Sequence, residues 1–220
     1  GDALKILCPE LPGFDIGNRD AIRTAFADAP ALEMQQGWLE QPEKHFLAGR
    51  VRIGWRDDRF FIFGELTHTQ LFTQSTEDNQ ILCNLGDAFE IFLRDPDGES
   101  YIEFHVAPNG RRLQLLWPGQ ATIWQIANKE LPLENLAVKE PLFDFWQWVK
   151  DKIWCICASV PSSAFLPVGT SLESRTWLAS FSRYDYSSAG DPPILSSTSP
   201  HAELSFHRQQ EWAEVIFAQQ

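Results

Sequence analysis

The stretches VRIGWRDDRFFIFGELT (Val51–Thr67) and GDAFEIFLRDPDGESYIEFHVAPNGRRLQLLW (Gly86–Trp117) decide the fold. They read as about four or five strands in a row, broken at Asp57-Asp58, Asp97-Gly98 and Asn109-Gly110. Gly, Asn and Asp accept the positive φ that tight hairpin turns demand. Between the turns apolar residues alternate. Phe89, Ile91 and Leu93 share one side, and Glu90, Phe92 and Arg94 the other; Ile102, Phe104 and Val106 oppose Tyr101, Glu103 and His105. A period of two is the signature of a strand. One face is therefore apolar and belongs to a core, while the other carries carboxylates, an imidazole and aromatic rings. Rings cover sugar C–H faces and carboxylates fix hydroxyls, so this inventory suits polyols.

Working outward, further strands are expected at Ala121–Ile126, Ala137–Glu140, Ile153–Val160, Trp177–Arg183 and Ala213–Phe217. Strand 153–160 is apolar on both faces except Ser159 and should lie centrally. Asn18 is placed to cap a short helix over Arg19–Ala27, with Ile22 and Phe26 on one side. Pro161–Phe165 fits one helical turn. The spacing predicts an all-β, antiparallel β-sandwich, immunoglobulin-like or jelly-roll-like, with one or two short helices. No linker divides the chain, so residues 1–220 read as one domain with its core at about 35–217. The Ser- and Pro-rich stretch from Ser187 to Pro200 reads as a long loop.

The net charge of −12 argues against nucleic acid and anionic membrane surfaces, because those partners are held by Lys and Arg. No apolar run is long enough to span a membrane. The chain begins Gly-Asp-Ala-Leu without a charged-then-apolar leader. That fits an extracellular or periplasmic protein whose signal segment is not part of this sequence, or a cytoplasmic one. The 9 Trp and 16 Phe suit the packing of a sandwich core. Cys155 and Cys157 share one strand face, Cys8 and Cys83 stand alone, and the spacings make neither a disulfide framework nor a metal knuckle. The histidines at 45, 68, 105, 201 and 207 show no zinc-binding spacing. Asp95-Pro96-Asp97-Gly98-Glu99 brings three carboxylates together, a hint of structural Ca²⁺, but D-P-D-G is foremost a type I turn.

Several segments together resemble the family 9 carbohydrate-binding modules and their DOMON-related kin. They are Gly86-Asp87-Ala88-Phe89-Glu90-Ile91-Phe92, Tyr101-Ile102-Glu103-Phe104, the Ala107–Gly110 turn, Phe181-Ser182-Arg183-Tyr184, and Leu195-Ser196-Ser197 with Phe206-His207-Arg208 and Glu211-Trp212. The resemblance spans roughly residues 35–217. It implies a non-catalytic carbohydrate-binding domain, accessory to polysaccharide or glycoside degradation, with a saccharide or polyol ligand and no cofactor.

The candidate ligand-binding residues are Glu65, Glu90, Glu103, His105, Arg111 (or Arg112), Trp117 and Arg183, with the three glutamates expected on neighbouring strands. Solvated cross-strand ion pairs are the structural alternative. The chain departs from the family where it carries Asn84 and Leu195, positions at which sugar-binding members place aromatic rings. Trp55, Phe72, Trp117 or Trp124 could take their place. Three other readings stand beside this one. The first is a module for a non-sugar ligand or a protein partner, with the sugar clamp lost. The second is a glycoside hydrolase using Glu90 and Glu103. The third is a haem domain of DOMON type with Met34 or His105 as axial ligand.

Overall fold

The computed structural model describes residues 3–187 and 192–219. Its strands are β1 (Lys5–Pro9), β2 (Ala31–Glu33), β3 (Gly49–Arg56), β4 (Arg59–Thr67), β5 (Ala88–Arg94), β6 (Tyr101–Val106) and β7 (Arg112–Trp117). They continue with β8 (Asp144–Lys150), β9 (Ile153–Pro161), β10 (Thr176–Asp185), β11 (Ile194–Ser197) and β12 (Ala213–Ala218). Two short helices, α1 (Arg19–Ala25) and α2 (Gln120–Ala127), complete the regular elements together with 3₁₀ turns.

The strands form two sheets. The first runs β1-β12-β10-β5-β6-β7, with β11 also paired to β10; the second runs β2-β3-β4-β9-β8. Pairing is antiparallel except between β1 and β12. The sheets bury one apolar face of each against the other. Phe89, Ile91, Leu93, Ile102, Phe104 and Val106 meet Ile53, Phe60, Ile62, Trp154 and Ile156 in this core. Each such side chain contributes roughly 1.5–3 kcal/mol by leaving water. The expected alternation and register on β5 and β6 are thus present.

The turns follow their residue types. Asp57 takes φ 54° between β3 and β4, and Gly110 takes φ 87° between β6 and β7. Asp95–Gly98 closes as a turn through Gly98 N–H to Asp95 O at 3.0 Å, with Asp97 N–H on the Asp95 carboxylate. The Asn18 side chain caps α1 by accepting from Ala21 N–H at 3.0 Å. Ser162–Ala164 forms the expected single helical turn.

Three expectations are corrected. Ala121–Ile126 is helical, because a strand would send Ile123 and Ile126 to opposite faces, whereas a helix turns both toward the Trp117–Leu136 cluster. Ala137–Glu140 is extended but makes just one bridge, Leu115 to Ala137. The Gln114 side chain takes most of its remaining bonds, donating to Val138 O and Glu140 O and accepting from Leu142 N–H. The Ser187–Pro200 stretch contains β11, which extends the sheet beside β10; its residues 188–191 lie outside the described ones.

Candidate functional site

The outer face of the first sheet carries the site. Glu90 on β5 lies directly across from His105 on β6, and Phe92 across from Glu103. Tyr101 is paired with Trp117 of β7 in the same way. Sequence alone leaves this face open to water; the structure covers it. Segment 118–143, which contains α2, and segment 198–212 fold over it, bringing Leu136, Phe206 and Trp212 against Phe92, Tyr101 and Leu115. Glu90, Glu103 and His105 become buried as a result. A cavity of about 290 Å³ remains above them, edged by Cys83, Trp117, Tyr184, Leu195, Phe206 and His207.

His105 stands between the two carboxylates. Its Nε2 makes a short hydrogen bond to Glu103 Oε2 and lies 3.4 Å from Glu90 Oε2. Glu103 Oε1 accepts from the Trp117 indole N–H at 2.9 Å. Glu90 Oε1 accepts from the Ser182 hydroxyl at 3.3 Å, while its Oε2 has no hydrogen bond. His105 Nδ1 is also buried without a partner. A second imidazole, His207, lies edge-on to Trp117 at 4.7 Å and takes a 2.7 Å hydrogen bond with the Tyr101 hydroxyl through Nδ1. Its Nε2 is 3.7 Å from Glu103 Oε1, longer than a hydrogen bond.

Charge follows from this geometry. Burial works to lower His105, but the carboxylates of Glu90 and Glu103 and the hydrogen bond that the ring donates to Glu103 outweigh it, so the ring is held up in its charged form. Burial works to raise Glu103, yet the His105 charge and hydrogen bond, His207 and the Trp117 N–H hold it below the usual carboxylate range. Glu90 is pushed up by burial; His105 opposes that and the Glu103 charge adds to it. His207 is lowered by burial. Burial and the nearby carboxylates push the Cys83 thiol and the Tyr184 phenol up. The cavity thus offers carboxylate oxygens and a charged imidazole, and among the described residues neither Lys nor Arg lines it. Such a lining fits a neutral, hydroxyl-rich ligand and disfavours an anion.

The sequence-derived candidates separate. Glu90, Glu103, His105 and Trp117 come together as expected. Glu65 does not join them: β4 belongs to the second sheet, and the Glu65 carboxylate pairs with Arg50 at 3.1 Å and Arg23 at 3.7 Å. Arg111 is exposed in the β6–β7 turn, away from the cavity lining; the Arg112 guanidinium instead lies over Phe143 and Phe145. Arg183 is across from Phe89 on the face turned toward the other sheet, donating to Thr67 O at 2.8 Å. Its neighbour Tyr184 in the same segment lines the cavity. Strict alternation from Ser182, the partner of Glu90, could have identified that side of β10.

Leu195 comes from β11, where it pairs with Tyr184; Cys83 comes from a 3₁₀ turn and Phe206 and His207 from a loop, and periodicity cannot place these three. Of the candidate replacement rings, Trp117 alone lines the cavity. Trp55 is buried in the core with its N–H on Ala218 O, Trp124 is 62% exposed on α2, and Phe72 packs beside Tyr186. Leu195 lines the cavity, whereas Asn84 is exposed and outside its lining. Met34 sits in the inter-sheet core and the His105 ring is held between carboxylates, so neither presents itself as a haem ligand.

Gly86-Asp87, the start of the β5 motif, is structural. A Cβ on Gly86 would come within 2.3 Å of Phe72 O, and buried Asp87 accepts from the backbone N–H groups of Phe72 and Tyr186.

No family model matches the sequence, and no curated protein matches it. Solved structures do. A Bacteroides uniformis protein of inferred carbohydrate-binding function superposes with a TM-score of 0.76 at 14% identity, covering 98% of this chain and 100% of that one. A family 9 carbohydrate-binding module from Caldicellulosiruptor kristjanssonii in complex with cellotriose gives 0.63 at 10% identity, covering 98% and 94%. A structure from the same organism and family in complex with glucose gives 0.59 at 11%, covering 97% and 94%. At such identities the likeness is one of fold, and it extends over nearly the whole of each chain.

Proposed function

We propose that residues 1–220 form one non-catalytic carbohydrate-binding domain, accessory to polysaccharide or glycoside breakdown and working in an extracellular or periplasmic setting. The observation that carries this reading is the buried Glu90–His105–Glu103 group opening into a ring-edged cavity, with one Glu90 oxygen left without a hydrogen bond. A buried acceptor left unsatisfied costs about 1–3 kcal/mol, and a ligand hydroxyl would recover that. Trp117, Tyr184 and Phe206 supply apolar surface for sugar C–H groups. The cavity lies at the small end of ligand pockets, about 300–1,000 Å³, and suits one sugar residue or the end of a chain. The fold is shared with modules whose structures hold cellotriose and glucose.

Hydrolysis fits less well. A glycosidase needs its two carboxylates on either side of the scissile bond. Here the imidazole of His105 occupies the space between Glu90 and Glu103. Leu195, in place of a second ring, supports a weaker reading in which the domain takes a different small neutral ligand.

Titration calorimetry with neutral mono- and oligosaccharides tests the proposal. Binding should appear in the wild type and weaken about 10–100-fold in Glu90→Gln, matching the loss of one charged hydrogen bond. Absence of binding to any sugar at roughly tens of millimolar, an affinity of about 2–3 kcal/mol, with an intact fold would overturn it.

A further inference from the structure

We infer that the floor of this cavity is a binding site for one thiophilic divalent cation, of the zinc class, held by Cys83, Glu90 and His105. The Cys83 Sγ, a Glu90 carboxylate oxygen and a His105 ring nitrogen lie within 4.8 Å of one another, the one such trio among the described residues. Ligand atoms around a tetrahedral ion with bonds of about 2.0–2.3 Å stand about 3.3–3.8 Å apart. A side-chain adjustment of about 1 Å therefore closes the site. Glu90 and His105 are each 2% exposed, and each keeps a buried atom without a hydrogen bond, Glu90 Oε2 and His105 Nδ1. A group of donor atoms buried around a cavity with two unfilled valences is what an ion would complete.

The surroundings fit a metal-bound histidine. Such a ring usually gives one nitrogen to the ion and the other to a carboxylate that orients it. Glu103 already holds His105 by Nε2, and Glu103 is itself fixed by the Trp117 N–H at 2.9 Å. Sulfur, nitrogen and one carboxylate favour Zn²⁺ over Ca²⁺ or Mg²⁺, which take oxygen ligands. Three protein ligands leave a fourth position for water or a ligand hydroxyl from the cavity. Ligation takes Cys83 as the thiolate and His105 as the neutral ring, with both protons passing to solvent. The three ligands come from a 3₁₀ turn (Leu82–Asn84), β5 and β6, so no short-range spacing marks them in the sequence.

The test uses tag-free, chelator-treated protein without saccharide. Calorimetry should show one Zn²⁺ bound per chain and no binding of Ca²⁺ or Mg²⁺ at this site. Co²⁺ should give a thiolate-to-metal charge-transfer band in the near ultraviolet. Cys83→Ser should abolish that band and weaken Zn²⁺ at least about tenfold, with circular dichroism showing the fold intact; Cys83→Ala serves if the serine variant misfolds. A missing band in the wild type, or a band and Zn²⁺ affinity unchanged on replacing Cys83, would overturn the inference. Saccharide titrations on the same chelated protein report on carbohydrate binding separately, so either reading can fail alone.

Discussion

Glu90 and Glu211 are both 2% exposed, yet they are buried in opposite ways. Glu211 follows the loop that begins at His201, and both its oxygens are used. Oε1 accepts from Arg208 Nε at 2.6 Å and His201 Nδ1 at 2.9 Å, and Oε2 accepts from Ala202 N–H at 3.0 Å. Glu90 has one hydrogen bond from Ser182 at 3.3 Å and an oxygen with none. Burial of a carboxylate therefore marks no function by itself. A fully bonded one ties a loop down, in this case the loop that places Phe206 and His207 over the cavity; an incompletely bonded one beside a cavity is poised for a ligand.

The sharpest way to break this contrast is to remove each charge. Glu211→Gln strips a buried pairing from Arg208 and His201 and should cost about 2–3 kcal/mol in urea unfolding, below the full buried-pair value because Arg208 is partly exposed. A stability within about 0.5 kcal/mol of wild type would put the two glutamates in one class.

The same cost should depend on pH. Burial works to raise the Glu211 carboxyl, but Arg208, His201 and the Ala202 N–H hold it well below the usual carboxylate range. The unfolded chain takes up its proton at higher pH than the folded chain. This stabilisation is therefore complete above the ordinary glutamate value of about 4.3 and lost as pH falls toward the lowered folded value. The Tm gap between wild type and Glu211→Gln should be constant near neutrality and shrink steadily below about pH 4. A gap that widens in acid would contradict the assignment.

For Glu90 the balance reverses. Glu90→Gln removes a buried charge that burial already disfavours, so stability should change by less than about 1 kcal/mol in either direction, even while saccharide affinity falls. Loss of several kcal/mol of stability would make Glu90 structural.

The smallest effect belongs to Glu65, whose Arg50 and Arg23 partners are nearly half exposed. Arg50→Ala should cost less than about 1 kcal/mol, diminish further in high salt, and leave saccharide binding unchanged. A change in binding would return Glu65 to the site.

Legibility in the sequence followed range. The turns at Asp57, Asp97-Gly98 and Gly110, the Asn18 cap and the two faces of β5 and β6 were all readable, because each depends on residues a few positions apart. Alternation told which side of its strand Glu65, Glu90 or Arg183 occupies. It did not tell which sheet β4 joins, and that decides whether Glu65 meets Glu90. The Phe-Ser-Arg-Tyr segment was recognised, but the choice between Arg183 and Tyr184 turned on which face of β10 looks across to the other sheet. Helix α2 was misread because its Ile123 and Ile126 spacing serves a surface that only segments distant in sequence create.

From its residues alone this protein was bound to form strands with one apolar face and to place Glu90, Glu103 and His105 opposite that face, because side-chain alternation is a local property of extended backbone. Only the tertiary structure decided that the polar face is roofed by segments 118–143 and 198–212, that Cys83 and His207 join it, and that one Glu90 oxygen remains without a bond. Those outcomes depend on how long connections pack across a sheet. Such packing is set by contacts between residues tens of positions apart, which no local period records.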